Sequence, residues 1–178
     1  MELVYAPADI LKEPTINVDE DMDNVVQYGK QMYDIMMKNN GVGLAASQVG
    51  INKSFFIMGS RESYTIITNP KIIETSKDLV KMQEGCLSFP DLWLNILRPD
   101  NVTVEYVNTI GKKVTEKLTS MVSRVFQHAL NNFALMKGEI YNVGLSDANV
   151  SKKELCQLIQ KQLPNFVYID EKIGKDPD

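Results

Sequence analysis

Apolar positions recur at helical spacing in two stretches of the chain and alternate with polar ones between them. Val25, Val26, Met32, Ile35 and Met36 follow the acidic residues Asp19, Glu20, Asp21 and Asp23. Acidic residues suit a helix N-terminus, and this apolar spacing gives the helix one buried face. Asn39, Asn40 and Gly41 predict its stop. Ser54 to Met58 and Tyr64 to Thr68 are short apolar runs, ended by Gly59 and by Asn69-Pro70, and predict two strands. Val102, Val104 and Tyr106 alternate with Thr103 and Glu105, the pattern of a half-buried strand. Asn108 to Gly111 reads as a turn, with Lys113 to Leu118 as the return strand. Met121, Val125, Phe126, Leu130 and Phe133 predict a second helix from Ser120, closed by Gly138. Ser151 and Glu154 have capping-box spacing, and Leu155, Leu158 and Ile159 carry a third helix on to Pro164. The polar tail 172–178 is expected to fray. This order predicts an α+β domain, a central helix packed on mostly antiparallel strands.

Composition narrows the class. The chain has 178 residues, 44% of them hydrophobic, which suits one domain with one packed core over residues 1–178. A net charge of -4 and a pI near 5.1 argue against bulk electrostatic binding to nucleic acid or anionic membrane. No apolar run is long enough to span a bilayer. Residues 1–10 lack the basic-then-apolar pattern of a secretory signal. Two cysteines, Cys86 and Cys156, cannot build a dense disulfide framework, so a reduced, cytoplasmic setting is expected.

The chemistry concentrates around Cys86 and the single histidine, His128. A cysteine in apolar company is commonly a small core residue. Here Gly85 is expected to allow a sharp bend, Pro90 limits the backbone on the far side of the thiol, and Glu84 and Ser88 add polar groups. A thiolate held in such a turn suits a soft metal ligand. His128 lies on an apolar helix far along the chain, where an isolated histidine is more often structural. With Cys86 it would form a site assembled by folding. The same pair admits a Cys–His nucleophile reading, with Cys86 attacking and His128 as base, but spacing alone reveals no third orienting group. Gly41 to Ala46 also satisfies G-x-G-x-x-A, with Glu62 about 20 residues on, where a dinucleotide fold places its ribose-binding acid. That fingerprint needs a strand before it and a helix after it, and the flanking pattern predicts the reverse. A glycine turn joining helix to sheet is the plainer reading.

Three stretches, Gly41-Val42-Gly43-Leu44-Ala45-Ala46-Ser47-Gln48, Glu84-Gly85-Cys86-Leu87-Ser88 and Arg124-Val125-Phe126-Gln127-His128, resemble in order and placement the motifs of the peptide deformylases. The resemblance runs from the N-terminus to about Tyr141. It implies that fold, and hydrolysis of the formyl group from N-formylmethionyl peptides by a metal-bound water. By resemblance, Cys86 and His128 are two ligands of a divalent metal (iron, zinc or nickel), and Gln48 and the Leu87 N–H stabilise the developing oxyanion. It further implies that Val42, Gly43 and Leu44 pair with an extended peptide, that Gly85 lines the same groove, and that Val125 faces the methionine pocket. A nascent chain, and with it the ribosome, would be the partner.

The third motif departs from the family. H-E-x-x-H is replaced by His128-Ala129-Leu130-Asn131-Asn132. Ala129 stands where the family has its proton-carrying Glu, and Asn132 where it has the second histidine ligand. A neutral amide oxygen is a weak ligand for zinc or iron beside imidazole. Loss of a general acid–base costs roughly 10²–10⁴ in rate. The expected outcome is a deformylase-like protein of weak or lost activity. The alternatives are a noncatalytic binder of peptide N-termini and, more distantly, a cysteine hydrolase.

Overall fold

The computed structural model describes residues 1–137 apart from Pro7, Lys12, Glu20 and Asp21, without the side chains of Asp91, Leu92, Leu94, Asn95 and residues 131–137. The expected helix end at Gly138, third helix from Ser151 and tail 172–178 lie outside the described residues.

Helix α1 (Met22–Lys38) forms where the apolar spacing places it and buries Val25, Gly29, Met32 and Met36. Its stop is built as expected. Asn40 takes a left-handed φ of 55°, and the Gly41 N–H reaches back to the Met36 carbonyl at 2.9 Å. The chain then runs through β1 (Gly43–Ala45), a 3-10 turn (Ala46–Val49), β2 (Phe55–Gly59) and β3 (Tyr64–Thr75). Next come β4 (Leu79–Cys86), β5 (Phe89–Pro99), β6 (Val102–Val107), β7 (Lys113–Leu118) and helix α2 (Ser120–Lys137).

Five strands form one antiparallel sheet in the order β1-β2-β3-β6-β7, and β4 and β5 pair separately as a hairpin. Successive side chains on a strand point to opposite faces. Leu44, Phe55, Ile57 and Ile66 therefore pack against Val25, Met32 and Met36 of α1. Their neighbours Ala45, Phe56 and Ile67 join Val102, Val104 and Tyr106 against Phe126 and Ala129 of α2. The sheet is thus covered by a helix on each face, which is why Phe55-Phe56-Ile57 reads as an unbroken apolar run. Phe56 and Phe126 meet edge to face, with centroids 5.2 Å apart. Among the described residues no helix is long and apolar enough to cross a membrane.

Two strand boundaries differ from the expectation. β3 does not end at Asn69-Pro70 but continues to Thr75, with a register shift between Thr68 and Lys71 in its pairing with β6. A bulge accommodates a proline that has no N–H to give the ladder. Asn69, at φ 49°, turns its amide onto the chain's earlier arm: Oδ1 accepts from the Val18 N–H and Nδ2 donates to the Val18 carbonyl, each at 2.8 Å. The same arm is held by a parallel bridge from Ile16 to Lys53 and by Val4 N–H to the Gln48 carbonyl and Ala6 N–H to the Ser88 carbonyl. Second, the Cys86 segment is not a turn around Gly85. It is the end of β4, and the hairpin turns over Leu87-Ser88. Gly85 is needed for a different reason. Trp93, its cross-strand partner, lies over it, and a Cβ there would come within 2.9 Å of the indole.

Candidate active site

The fold brings four segments together. The turn after β1 supplies Gln48, the end of β4 supplies Glu84 and Cys86, β5 supplies Arg98, and the first turns of α2 supply Arg124 and His128.

Gln48 is buried and its amide is fully engaged. Oε1 accepts the Ala45 N–H at 2.9 Å, which fixes the side chain's roll. Nε2 then faces Ser88 Oγ at 3.1 Å and Cys86 Sγ at 3.5 Å. The small residues before Gln48 allow close packing. A methyl added to Gly43 would meet Val125 Cγ1 at 3.2 Å, and one added to Gly41 would meet Leu87 at 2.9 Å. Leu87 and Val125 thereby flank β1, the end strand of the sheet. Val42 is 55% exposed beside this open edge, whereas the Leu44 side chain is wholly in the core and offers only its backbone.

Glu84 is the hub. Arg98 grips its carboxylate with two bonds, Nε to Oε1 at 2.7 Å and Nη2 to Oε2 at 2.8 Å. Arg124 Nη1 donates to Oε1 at 2.8 Å, and His128 Nδ1 lies 2.7 Å from Oε2. Burial alone would raise the Glu84 pKa. The hydrogen bonds from Arg98 and His128, with the positive charge of Arg98, outweigh it and hold the carboxyl well below the usual carboxylate range. An ionised carboxylate only accepts, so Nδ1 of His128 carries the proton and Nε2 is the nitrogen left for other chemistry. Glu84 is thus an orienting anion; a carboxylate so strongly stabilised is poorly suited to act as a base.

The Cys86 thiol is pushed the other way, up to about 11. Burial is the main cause and hydrogen bonds from the Ser88 and Phe89 backbone only partly offset it. An activated nucleophile needs a depressed thiol pKa, so this environment disfavours the cysteine-hydrolase reading. The third orienting group that spacing did not reveal is Glu84, which holds His128 as such a pair would need, so it is the raised thiol alone that counts against that reading.

Directly after His128, where the family pattern has an acid, stands an alanine. Ala129 is buried in the core cluster with Phe126 and Phe56. The backbone of Asn132 continues α2, and its side chain lies outside the described residues. Among the described residues no group of three Cys, His, Asp or Glu is placed to hold a metal ion. The thiol of Cys86 and Nε2 of His128 are suitable soft donors, but a catalytic zinc site normally takes three protein ligands. The described donors therefore do not complete the three-ligand set that the resemblance implies.

The family model for polypeptide deformylase matches residues 1–136, through the altered third motif. The chain belongs to the polypeptide deformylase family. It is 33% identical over 134 residues to the peptide deformylase of Borreliella burgdorferi, covering 74% of this chain and 81% of that protein. It is 34% identical over 138 residues to the chloroplastic peptide deformylase 1B of Oryza sativa, covering 74% of this chain but only 51% of the rice protein. Among solved structures, the Thermotoga maritima peptide deformylase superposes with a TM-score of 0.71 at 33% identity, covering 74% of this chain and 90% of that one. The Synechococcus elongatus peptide deformylase, solved with actinonin, gives 0.73 at 31% identity, covering 91% and 85%. An Acinetobacter baumannii deformylase solved with Met-Ala-Ser gives 0.71 at 29% identity, covering 75% and 92%. Members of this family remove N-formyl groups from peptides and use a divalent metal.

Arg98 and Arg124 were not identified from the sequence. Arg98 lies across a hairpin whose turn carries no clear signature and Arg124 lies 40 residues from Glu84, so neither ion pair leaves a local pattern. The one available signal was a pair of basic residues in otherwise apolar segments, Ile96-Leu97-Arg98 and Arg124-Val125-Phe126, where burial requires an acidic partner.

Proposed function

We propose that this chain is a deformylase-family protein that engages N-formylmethionyl peptides while its hydrolytic activity is weak or lost. One observation carries the reading. The position of the family's proton carrier is Ala129, buried among Phe126 and Phe56, while the hub that orients His128 is intact. Proton transfer to or from the reacting group is worth roughly 10²–10⁴ in rate, and no alanine supplies it. The Leu87 N–H would face the substrate's carbonyl oxygen, and Gln48 Nε2 would join it by giving up its long 3.5 Å contact with Cys86 Sγ. Val42 and Gly43 would pair with an extended peptide along the open edge of β1, a strand-addition mode. Leu87 and Val125 would flank the methionine side chain.

The test is hydrolysis of formyl-Met-Ala-Ser by protein reconstituted with iron, nickel or cobalt, with metal content measured on the same sample. The expected result is substoichiometric metal and turnover far below that of the Thermotoga maritima relative assayed alongside. Turnover equal to that relative would reject the reading.

A second reading, binding of peptide N-termini without chemistry, is favoured by the open edge beside exposed Val42. Titration with formylated and unformylated Met-Ala-Ser separates the two. Saturable binding without hydrolysis supports the binder, and no binding of either peptide removes it.

A further inference from the structure

Glu84 and Arg98 belong to one hairpin, paired strands β4 and β5. Their two-bond grip fixes the carboxylate relative to the hairpin, but nothing in it fixes the hairpin relative to α2. His128 can use Oε2 only if the helix sits at the right height and distance. The residue that sets this is four positions earlier on the same helix face. Arg124 is 6% exposed and spans the junction completely. Nη1 donates to Glu84 Oε1 at 2.8 Å and to the Ile96 carbonyl of β5 at 3.1 Å, and Nη2 donates to the Val80 carbonyl of β4. One guanidinium therefore touches both strands of the hairpin and the carboxylate between them. Arg124 and His128 take one oxygen of Glu84 each, so the helix is pinned to the carboxylate at two points one turn apart.

We propose that Arg124 is a positioning residue for His128. By holding Glu84 Oε1 and both hairpin strands, it keeps Oε2 in line with Nδ1 and so leaves Nε2 as the open nitrogen. The planar fork suits this task and an ammonium does not, because a single point donor cannot serve a carboxylate and two divergent carbonyls together. The inference rests on the proposed function only in treating Nε2 as the working nitrogen. Its test needs neither metal nor turnover.

His128 is the only histidine, so long-range nitrogen–proton NMR of the uniformly ¹⁵N-labelled, metal-free protein reports it alone. At an alkaline pH where the ring nitrogen shifts no longer move with pH, the parent is expected to show one protonated nitrogen at Nδ1 and one bare nitrogen at Nε2. In Arg124→Gln the two shifts are expected to move toward each other as tautomers mix, with Arg124→Lys between parent and Gln. Should Arg124→Gln fail to fold, as judged from amide dispersion, Arg124→Lys is read in the same way. Parent-like nitrogen shifts in a folded variant overturn the proposal even if its melting temperature falls, since a purely structural tie would lower stability without touching the tautomer. If the hydrolysis assay shows full activity while these shifts move as expected, the functional reading fails and this inference stands.

Discussion

The two halves of α2 make different use of one helical scaffold. From Ser123 to His128 nearly every inward side chain is committed to a partner: Gln127 Nε2 reaches Ser123 Oγ and the Pro99 carbonyl, Arg124 ties the hairpin, and His128 meets Glu84. One residue later the helix offers a methyl group to the core at Ala129, and the residue one turn after His128 is Asn132. The bonds that orient His128 are made to the hairpin, away from Ala129 and Asn132, so on the proposed reading the support for the site can persist whatever stands at those two positions.

The largest effect should come from rebuilding the altered turn. Ala129→Glu with Asn132→His, loaded with iron, nickel or cobalt, should raise formyl-Met-Ala-Ser hydrolysis by at least roughly 10²–10⁴ over the parent. No gain despite bound metal would show that the framework has also drifted. Next, Glu84→Gln leaves Arg98 and Arg124 without their shared anion. Removing one member of a buried ion-pair network should cost about 3–5 kcal/mol, read from the urea midpoint. A smaller loss would mean that the hub contributes little to holding the two regions together.

The pH dependence is two-sided. The folded Glu84 carboxyl lies below its ordinary value of 4.5, so its stabilisation is present in full above about that pH and is lost as the pH falls toward the depressed folded pKa. Urea midpoints measured downward from pH 5 should fall in the parent and stay flatter in Glu84→Gln. The Cys86 thiol is raised from 9.0 to about 11, so its contribution is intact below pH 9 and is lost as the pH rises through about 11. Cys86→Ser should remove that alkaline arm. The smallest effect is expected at the far side of the hairpin. Gly85→Ala should push the Trp93 indole outward at a cost of about 1 kcal/mol, since an exposed ring can swing aside. Trp93 is the only tryptophan, so its emission should shift to the red. An unchanged spectrum would show that the ring does not need the bare backbone.

What could be seen in the sequence was what a single segment decides. Helix α1 with its Asn-Asn-Gly stop, the β6–β7 pair and the start of α2 at Ser120 each carry their own periodicity and punctuation. β4 and β5 do not. Their turn, Leu87-Ser88, lacks the Asn-Gly or Gly chemistry that marks tight hairpins, and Glu84 and Arg98 sit at inward positions where a strand pattern calls for apolar residues. Asn69-Pro70 misled for a related reason: a bulge let the strand pass through residues that usually end one. At the site, Cys86, His128 and Gln48 stood out by residue type and motif. Arg98 and Arg124 became meaningful only once folding had put them on one carboxylate.

The clamp of Asn69 on Val18 bears on the order in which the molecule assembles. Val4, Ala6, Ile16 and Val18 are held by groups on Gln48, Ser88, Lys53 and Asn69, all of which lie later in the chain. The bonds that hold this arm therefore form only once those later residues are themselves in place on the sheet and the hairpin.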